Sequence, residues 1–240
     1  MNSKIGFMQG RLSPLVDGKI QAFPWMHWKE EFEAAHHIGL GLMEWTLDHD
    51  QLYQNPLLTL EGRTTISDLS AQHGVSVKSV TGDCFMQAPF WKYSGQEQQV
   101  LVNEFVDIVN ACSSIDIRYL VVPLVDHGSP TSLKEEEIFL GFIKEIASTL
   151  KELSVQIAIE SDLSPAKLAS FIDTVPEDIL GVNYDIGNSA CLGHNPLDEF
   201  AAYGHRILNI HVKDRIKGGT TVALGLGNAN FELVFNCIRK

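Results

Sequence analysis

Seven short apolar, β-branched runs, each followed by a longer segment of helical period, constrain this chain more than any other feature. That alternation is the sequence sign of βαβ units and a parallel sheet. The candidate strands are 5–9, 41–45, 76–81, 119–125, 155–160, 181–185 and 207–212. Several are apolar on consecutive residues, as strands covered on both faces must be. Between them, Phe139, Phe142, Ile143, Ile146, Leu150 and Leu153 recur at three- and four-residue steps and form one apolar stripe. Val102, Phe105, Val106, Val109 and Cys112 do the same one unit earlier. Asn195-Pro196 reads as an N-cap with proline at the first helical position, and Asn230 as the cap of a last helix burying Phe231, Val234, Phe235 and Ile238. The expected fold is an α/β, TIM-type (β/α) barrel forming a single domain over residues 1–240. Seven units fit the chain. An eight-stranded barrel needs one more strand, so either the barrel is built differently or this chain lacks the final strand.

Charge narrows the partners. The net charge of −12 is spread along the chain, and such a surface repels phosphate backbones and anionic membranes at long range. The expectation is no nucleic acid and no membrane. The N-terminus lacks the apolar core of a secretory signal, and the longest strongly apolar run, 119–125, is far too short to span a bilayer. The cysteines, Cys84, Cys112, Cys191 and Cys237, form no CxxC pair and read as reduced thiols of a cytoplasmic protein. An incomplete barrel exposes two strand edges, which invites pairing with a second chain and points to a homodimer.

In parallel α/β folds functional side chains gather at the carboxyl ends of the strands. The fifth run ends in Glu160, the sixth in Asp185 and the seventh carries His211. Neighbouring strands lie about 4.8 Å apart, so two carboxylates and an imidazole from successive strands can meet at one ion. A mixed oxygen and nitrogen shell suits one divalent metal ion, Mn²⁺, Mg²⁺, Co²⁺ or Zn²⁺, with positions left for substrate oxygens. The plain alternative is that each residue caps a strand or joins a surface ion pair; three alike in a row argue against it. Lys213 and Arg215 follow closely and could hold a phosphate, carboxylate or hydroxyl, unless they pair with Asp214 or other rim acids. Strand alternation places Lys213 on the side of His211. Glu44, ending the second run, could accept hydrogen bonds from sugar hydroxyls. Gln9, Arg11, Asp83, Asp126 and His127 read as rim structure, and His36 and His37 as surface or packing residues. Trp45, Phe85 and Trp91 fit a pocket wall or the core equally well. Gly225 and Gly227 lack the strand context of a dinucleotide fingerprint, so no nicotinamide cofactor is expected.

The stretch 183–188 (Asn-Tyr-Asp-Ile-Gly-Asn), with 210–215 (Ile-His-Val-Lys-Asp-Arg) and the glycine-rich loop 218–227, resembles the xylose isomerase-like TIM-barrel superfamily. The opening 6–12 and Met43-Glu44-Trp45 are similar to its sugar isomerase and epimerase branch. The resemblance implies that Glu160, Asp185 and His211 bind the metal, that Glu160 is also a catalytic acid/base, and that a strand-eight residue completes the shell and acts as its partner. It also places Asn188 where many epimerases of the group have a histidine, as an amide suited to a sugar hydroxyl. The chemistry implied is removal of a proton α to a carbonyl, through an enediolate, and its return on another carbon or face. The expected protein is thus a metal-dependent isomerase or epimerase of carbohydrate metabolism, acting on a small keto-sugar or sugar phosphate. Loss of a β-hydroxyl from the same enediolate gives an inosose-type dehydratase instead. A non-catalytic or vestigial sugar-binding barrel is the alternative of a different class, and an endonuclease IV-like nuclease, needing a histidine-rich zinc cluster, fits poorly.

Overall fold

The computed structural model describes residues 2–19 and 21–239. Its strands follow the apolar runs: β1 (Asn2–Met8), β2 (Leu40–Leu47), β3 (Ser76–Gly82), β4 (Tyr119–Leu124), β5 (Gln156–Ser161), β6 (Leu180–Asp185) and β7 (Ile207–His211). They form one parallel sheet in the order β1 to β7, each strand beside its sequence neighbour. Between them run α1 (Glu30–His37), α2 (Leu60–His73), α3 (Asp83–Gln87), α4 (Gly95–Ser114), α5 (Leu133–Glu145), α6 (Ala147–Leu153), α7 (Pro165–Ile172), α8 (Ile186–Leu192) and α9 (Pro196–Tyr203). After β7 come a two-residue hairpin, β8 (Asp214–Arg215) with β9 (Thr221–Val222), and α10 (Phe231–Ile238).

The sheet curls into an open barrel, the TIM architecture short of its last strand. The curl is tight. Glu44 on β2 and His211 on β7, far from neighbours in sheet order, lie 2.7 Å apart across the interior. Outside the sheet, Phe85, Phe90, Trp91, Phe105, Phe139 and Phe171 fill the layer under the helices with edge-on and stacked contacts. Trp45 packs with Phe23 and Trp28 and donates its indole N–H to Asn55. Trp45, Phe85 and Trp91 are therefore core, not pocket wall.

The caps form as the sequence predicts: Asn195 accepts from the Leu197 amide and Asn230 from the Leu233 amide. Two expectations change. The stripe 139–153 is split, because the chain leaves α5 at Ile146 and restarts as α6. In α10 only Val234 is fully buried, while Phe235 and Ile238 stay 37% and 43% exposed. The helix packs chiefly on α9, and the open edge of the seven-stranded sheet lies beside it without a further strand among the described residues. No described helix is long and apolar enough to cross a membrane.

Candidate metal centre

Three strand ends deliver the site. Asp185 closes β6 and pairs in register with His211, the last residue of β7. Glu160 lies one strand away on β5. One ligand atom from each of the three falls within 4.8 Å of the others. His211 Nδ1 is 3.3 Å from Glu160 Oε2 and 4.0 Å from Asp185 Oδ2. Donors each about 2.1 Å from a common ion sit roughly 3–4 Å apart, so a small contraction of this group would form half a coordination shell.

Each ligand is held by something else. Asp185 caps α8, with Oδ1 accepting from the Asn188 amide at 2.8 Å, which leaves Oδ2 facing His211 and Lys213. Asn183 Nδ2 donates to Glu160 Oε2 at 2.8 Å, and Asn188 Nδ2 donates to Glu160 Oε1. His211 Nε2 is 2.7 Å from Glu44 Oε1, which turns Nδ1 toward the two acids. This is the arrangement by which a carboxylate fixes the tautomer of a metal-binding histidine.

The electrostatics favour a cation. Burial would lower the His211 pKa, but Glu44 and Glu160 hold it well above the ordinary imidazole value. Glu44 shows the converse: burial pushes it up, yet the His211 charge and bonds from His211, Ser79 and Asn209 leave it below its usual range. Burial and the neighbouring Glu160 raise Asp185, against Lys213, His211 and the Asn188 amide. Glu44, Glu160 and Asp185 carry three negative charges, and Lys213 Nζ, 3.3 Å from Asp185 Oδ2, returns one. With His211 neutral, the remaining deficit of two is what a divalent ion neutralises. The donor set fits one.

The other expected residues are placed differently. Glu44 does not end its strand: β2 runs on to Leu47, because Thr46 and Leu47 pair with Thr81 and Gly82. Glu44 therefore sits inside the barrel, with Oε1 against His211 and Oε2 accepting from Ser79 and Asn209. Asn188 is likewise engaged, its Oδ1 accepting from Lys213 at 3.2 Å and Arg215 at 2.8 Å. Lys213 and Arg215 meet there, and neither pairs with Asp214. That acid is enclosed by the amides of Gly225, Gly227 and Ala229, which more than offset the effect of burial and hold it below its ordinary value. The glycine pair thus serves Asp214: a side chain on residue 227 would collide with its carboxylate. Gly187 is needed for another reason, since a Cβ there would meet Lys213 Cγ at 2.9 Å. Gln9 is fully enclosed, accepting from the Thr46 amide, and its Nε2 has no partner among the described residues. His36 and His37 lie at the surface, His36 bonding the His73 carbonyl.

Sequence reasoning missed Asn183, Asn209 and Ser79, which link Glu160, His211 and Glu44 into one network. The signal was present. Asn183 and Asn209 each stand two residues before a ligand, on the same face of an otherwise apolar strand.

The family model described as the xylose isomerase-like TIM barrel matches residues 32–240. Comparison of the sequence with curated proteins gave no match. Among solved structures, a xylose isomerase domain protein from Planctomyces limnophilus superposes with a TM-score of 0.74 at 16% identity, over 98% of this chain and 86% of that one. The IolI protein with a bound zinc atom gives 0.72 at 15% identity, over 88% and 79%. A D-psicose 3-epimerase crystallised in the presence of D-fructose gives 0.69 at 13% identity, over 88% and 74%. At these identities the likeness is one of fold.

Proposed function

The chain belongs to the xylose isomerase-like TIM-barrel family, and from that premise we propose that it is a divalent-metal-dependent isomerase or epimerase acting on a small keto-sugar or sugar phosphate. One observation carries the reading: Glu44 fixes His211 by Nε2, so that Nδ1 points at Glu160 and Asp185. A neighbour of this fold holds zinc and another was crystallised with a ketose, which supports both the ion and the substrate class.

When bound between Glu160, Asp185 and His211, the ion supplies a Lewis acid that polarises the substrate carbonyl. The chain does the rest. Glu160, oriented by the amide groups of Asn183 and Asn188, is the base that removes the proton α to that carbonyl. Lys213 and Arg215, converging on Asn188 Oδ1, place positive charge beside the site, where an oxyanion or an anionic substituent gathers negative charge. The test is twofold. Metal analysis should find one equivalent of Mn²⁺, Mg²⁺, Co²⁺ or Zn²⁺, lost in His211→Ala. Deuterium from D₂O should enter a ketose incubated with the loaded protein and fail to enter with Glu160→Gln. A wild-type protein that binds no ion and exchanges no proton would leave only a fold.

A further inference from the structure

Part of the metal centre hangs on one strand-to-helix turn, residues 185–188. Asp185 ends β6 and caps α8, while Asn188 in the first turn of α8 donates to Glu160 and accepts from Lys213 and Arg215. The helix has seven residues, too few to persist without tertiary contacts. It packs chiefly on β6, β7 and β8. Tyr184, one residue before Asp185, points the opposite way along the strand and packs its ring on Phe200 of α9. There it meets Glu199, also on α9. Glu199 Oε2 accepts from Tyr184 Oη at 2.8 Å and from Ser189 Oγ at 2.6 Å. Tyr184 and Ser189 flank the turn, so one carboxylate oxygen ties its two ends together. Oε1 accepts from Tyr203 Oη, on the same helix, at 3.0 Å and lies 3.6 Å from His194 Nδ1.

Glu199 is 2% exposed, and no lysine or arginine pairs with it among the described residues. Burying a carboxylate carries a desolvation cost that an apolar residue in the same space would not. Three hydroxyl donors offset it, as does the first turn of α9, where the helix dipole favours negative charge. Burial and the Glu199 charge push both phenols above their ordinary value, so each keeps the proton it donates. What an apolar residue could not supply is a single acceptor shared by the strand end and the helix.

We propose, resting on the metal-centre reading, that Glu199 is a positioning residue of this site: by clamping Tyr184 to Ser189 it sets where Asp185 and Asn188 stand. None of its hydrogen bonds reaches a metal-binding residue, and its effect passes through the turn by two routes. Asp185 Oδ2 faces His211, so a drift of the turn displaces one of the three donors. Asn188 orients Glu160 through Nδ2 and gathers Lys213 and Arg215 at Oδ1, so the same drift turns the proposed base and moves both cations. The tolerance is small. A Cβ on Gly187, inside the turn, would meet Lys213 Cγ at 2.9 Å, so the backbone there cannot move far without shifting that lysine.

The experiment compares variants of the full chain. Ser189→Ala and Tyr184→Phe each cut one end of the clamp. Tyr203→Phe removes a bond of the same carboxylate that does not reach the turn, and so reads what losing a buried hydroxyl does by itself. Glu199→Gln keeps an oxygen for Tyr184 and Ser189 and can turn its amide nitrogen toward Tyr203 Oη. In metal-free protein, hydrogen exchange of the Asn188 amide, which Asp185 caps, should quicken about fivefold or more in Ser189→Ala and Tyr184→Phe. It should stay at the wild-type rate in Tyr203→Phe and Glu199→Gln. Calorimetric titration with Mn²⁺ should show affinity about tenfold lower in the two clamp variants and within about twofold of wild type in the other two. The visible spectrum of Co²⁺-loaded protein should shift in the clamp variants alone. Asn188 exchange or Mn²⁺ affinity unmoved in the clamp variants, or moved equally by Tyr203→Phe, overturns the role of Glu199 while the metal-centre reading stands. A wild type that binds no Mn²⁺ overturns that reading and the role of Glu199 together.

Discussion

Replacing Asp83 by Asn should stabilise the folded protein, increasingly so as pH rises. The folded state pushes this carboxyl from an ordinary aspartate value of 3.8 to about 7. Below about 4 both the folded and unfolded chains hold the proton, and no penalty exists. Between there and 7 the unfolded chain releases it while the folded one retains it. The folded state then binds more protons, and stability falls as pH rises. Above 7 the penalty is complete. Three pH units of retention correspond to roughly 4 kcal/mol, and relaxation around a real charge brings the expected gain to about 2–3 kcal/mol. Asn does not titrate and still accepts from Gln21, so the variant lacks the penalty at every pH.

Urea unfolding of both proteins without metal, at pH 5 and pH 8, reads the difference directly. The separation of the midpoints at pH 5 should be less than half that at pH 8, with Asp83→Asn the more stable at both. Equal separations at the two pH values would refute the reasoning, since packing or hydrogen-bond effects of the substitution do not depend on pH. A variant less stable at pH 8 would show that Asp83 is ionised at no cost, and its burial would need another explanation.

Three further outcomes follow from the geometry. Glu44→Gln keeps a hydrogen-bond acceptor for His211 Nε2 but removes the charge, so metal affinity should fall by about 10–100-fold, measured by calorimetric titration with Mn²⁺ or Co²⁺. Metal binding should release a proton, because Glu44 and Glu160 keep metal-free His211 protonated well above the ordinary imidazole value. Affinity should then rise by about tenfold per pH unit from near 6.5 upward until that raised value is passed, and a flat profile over pH 6.5–8 would contradict it. Gly187→Ala should push Lys213 off Asp185 and Asn188 and cost about 1–3 kcal/mol of stability, a loss that Gly141→Ala, where a Cβ meets nothing, should not show.

The strands were legible because both faces of each are covered, so the apolar runs carry their own boundaries to within a residue or two, except that β1 begins three residues before its run. That Glu160, Asp185 and His211 come together was legible for a related reason: a charged residue ending an apolar strand has few places to go but the rim. What sequence could not supply is which atoms a polar residue meets. Glu44 looked like a strand end because its run of apolar neighbours stops at Trp45, yet pairing with β3 carries the strand to Leu47 and draws the carboxylate inside. The β8–β9 hairpin has two residues per strand and no period to detect. The amides that enclose Asp214 are backbone groups, and the glycines that permit it mark only that some close approach occurs. Phe235 and Ile238 follow the helical period faithfully, but period names a face and not a partner to cover it.

The polar interior explains why these residues act together. A TIM-type barrel ordinarily fills its inner layers with branched apolar side chains. Here one inner layer is built instead from Glu44, Ser79, Asn183, Asn209 and His211. An enclosed network of this kind is tolerable only if its members are satisfied, because an orphaned polar group in low dielectric costs more than an apolar one. Asn209 meets that condition by donating to both Glu44 and Asn183, and Asn183 by donating to Glu160 while accepting from Asn209. Glu44 and Glu160 are therefore connected through two amides as well as through His211. Turning His211 would break bonds on both sides of its ring, so its orientation is set by the layer beneath the site rather than by an ion. On this account an ion would enter a shell already shaped for it.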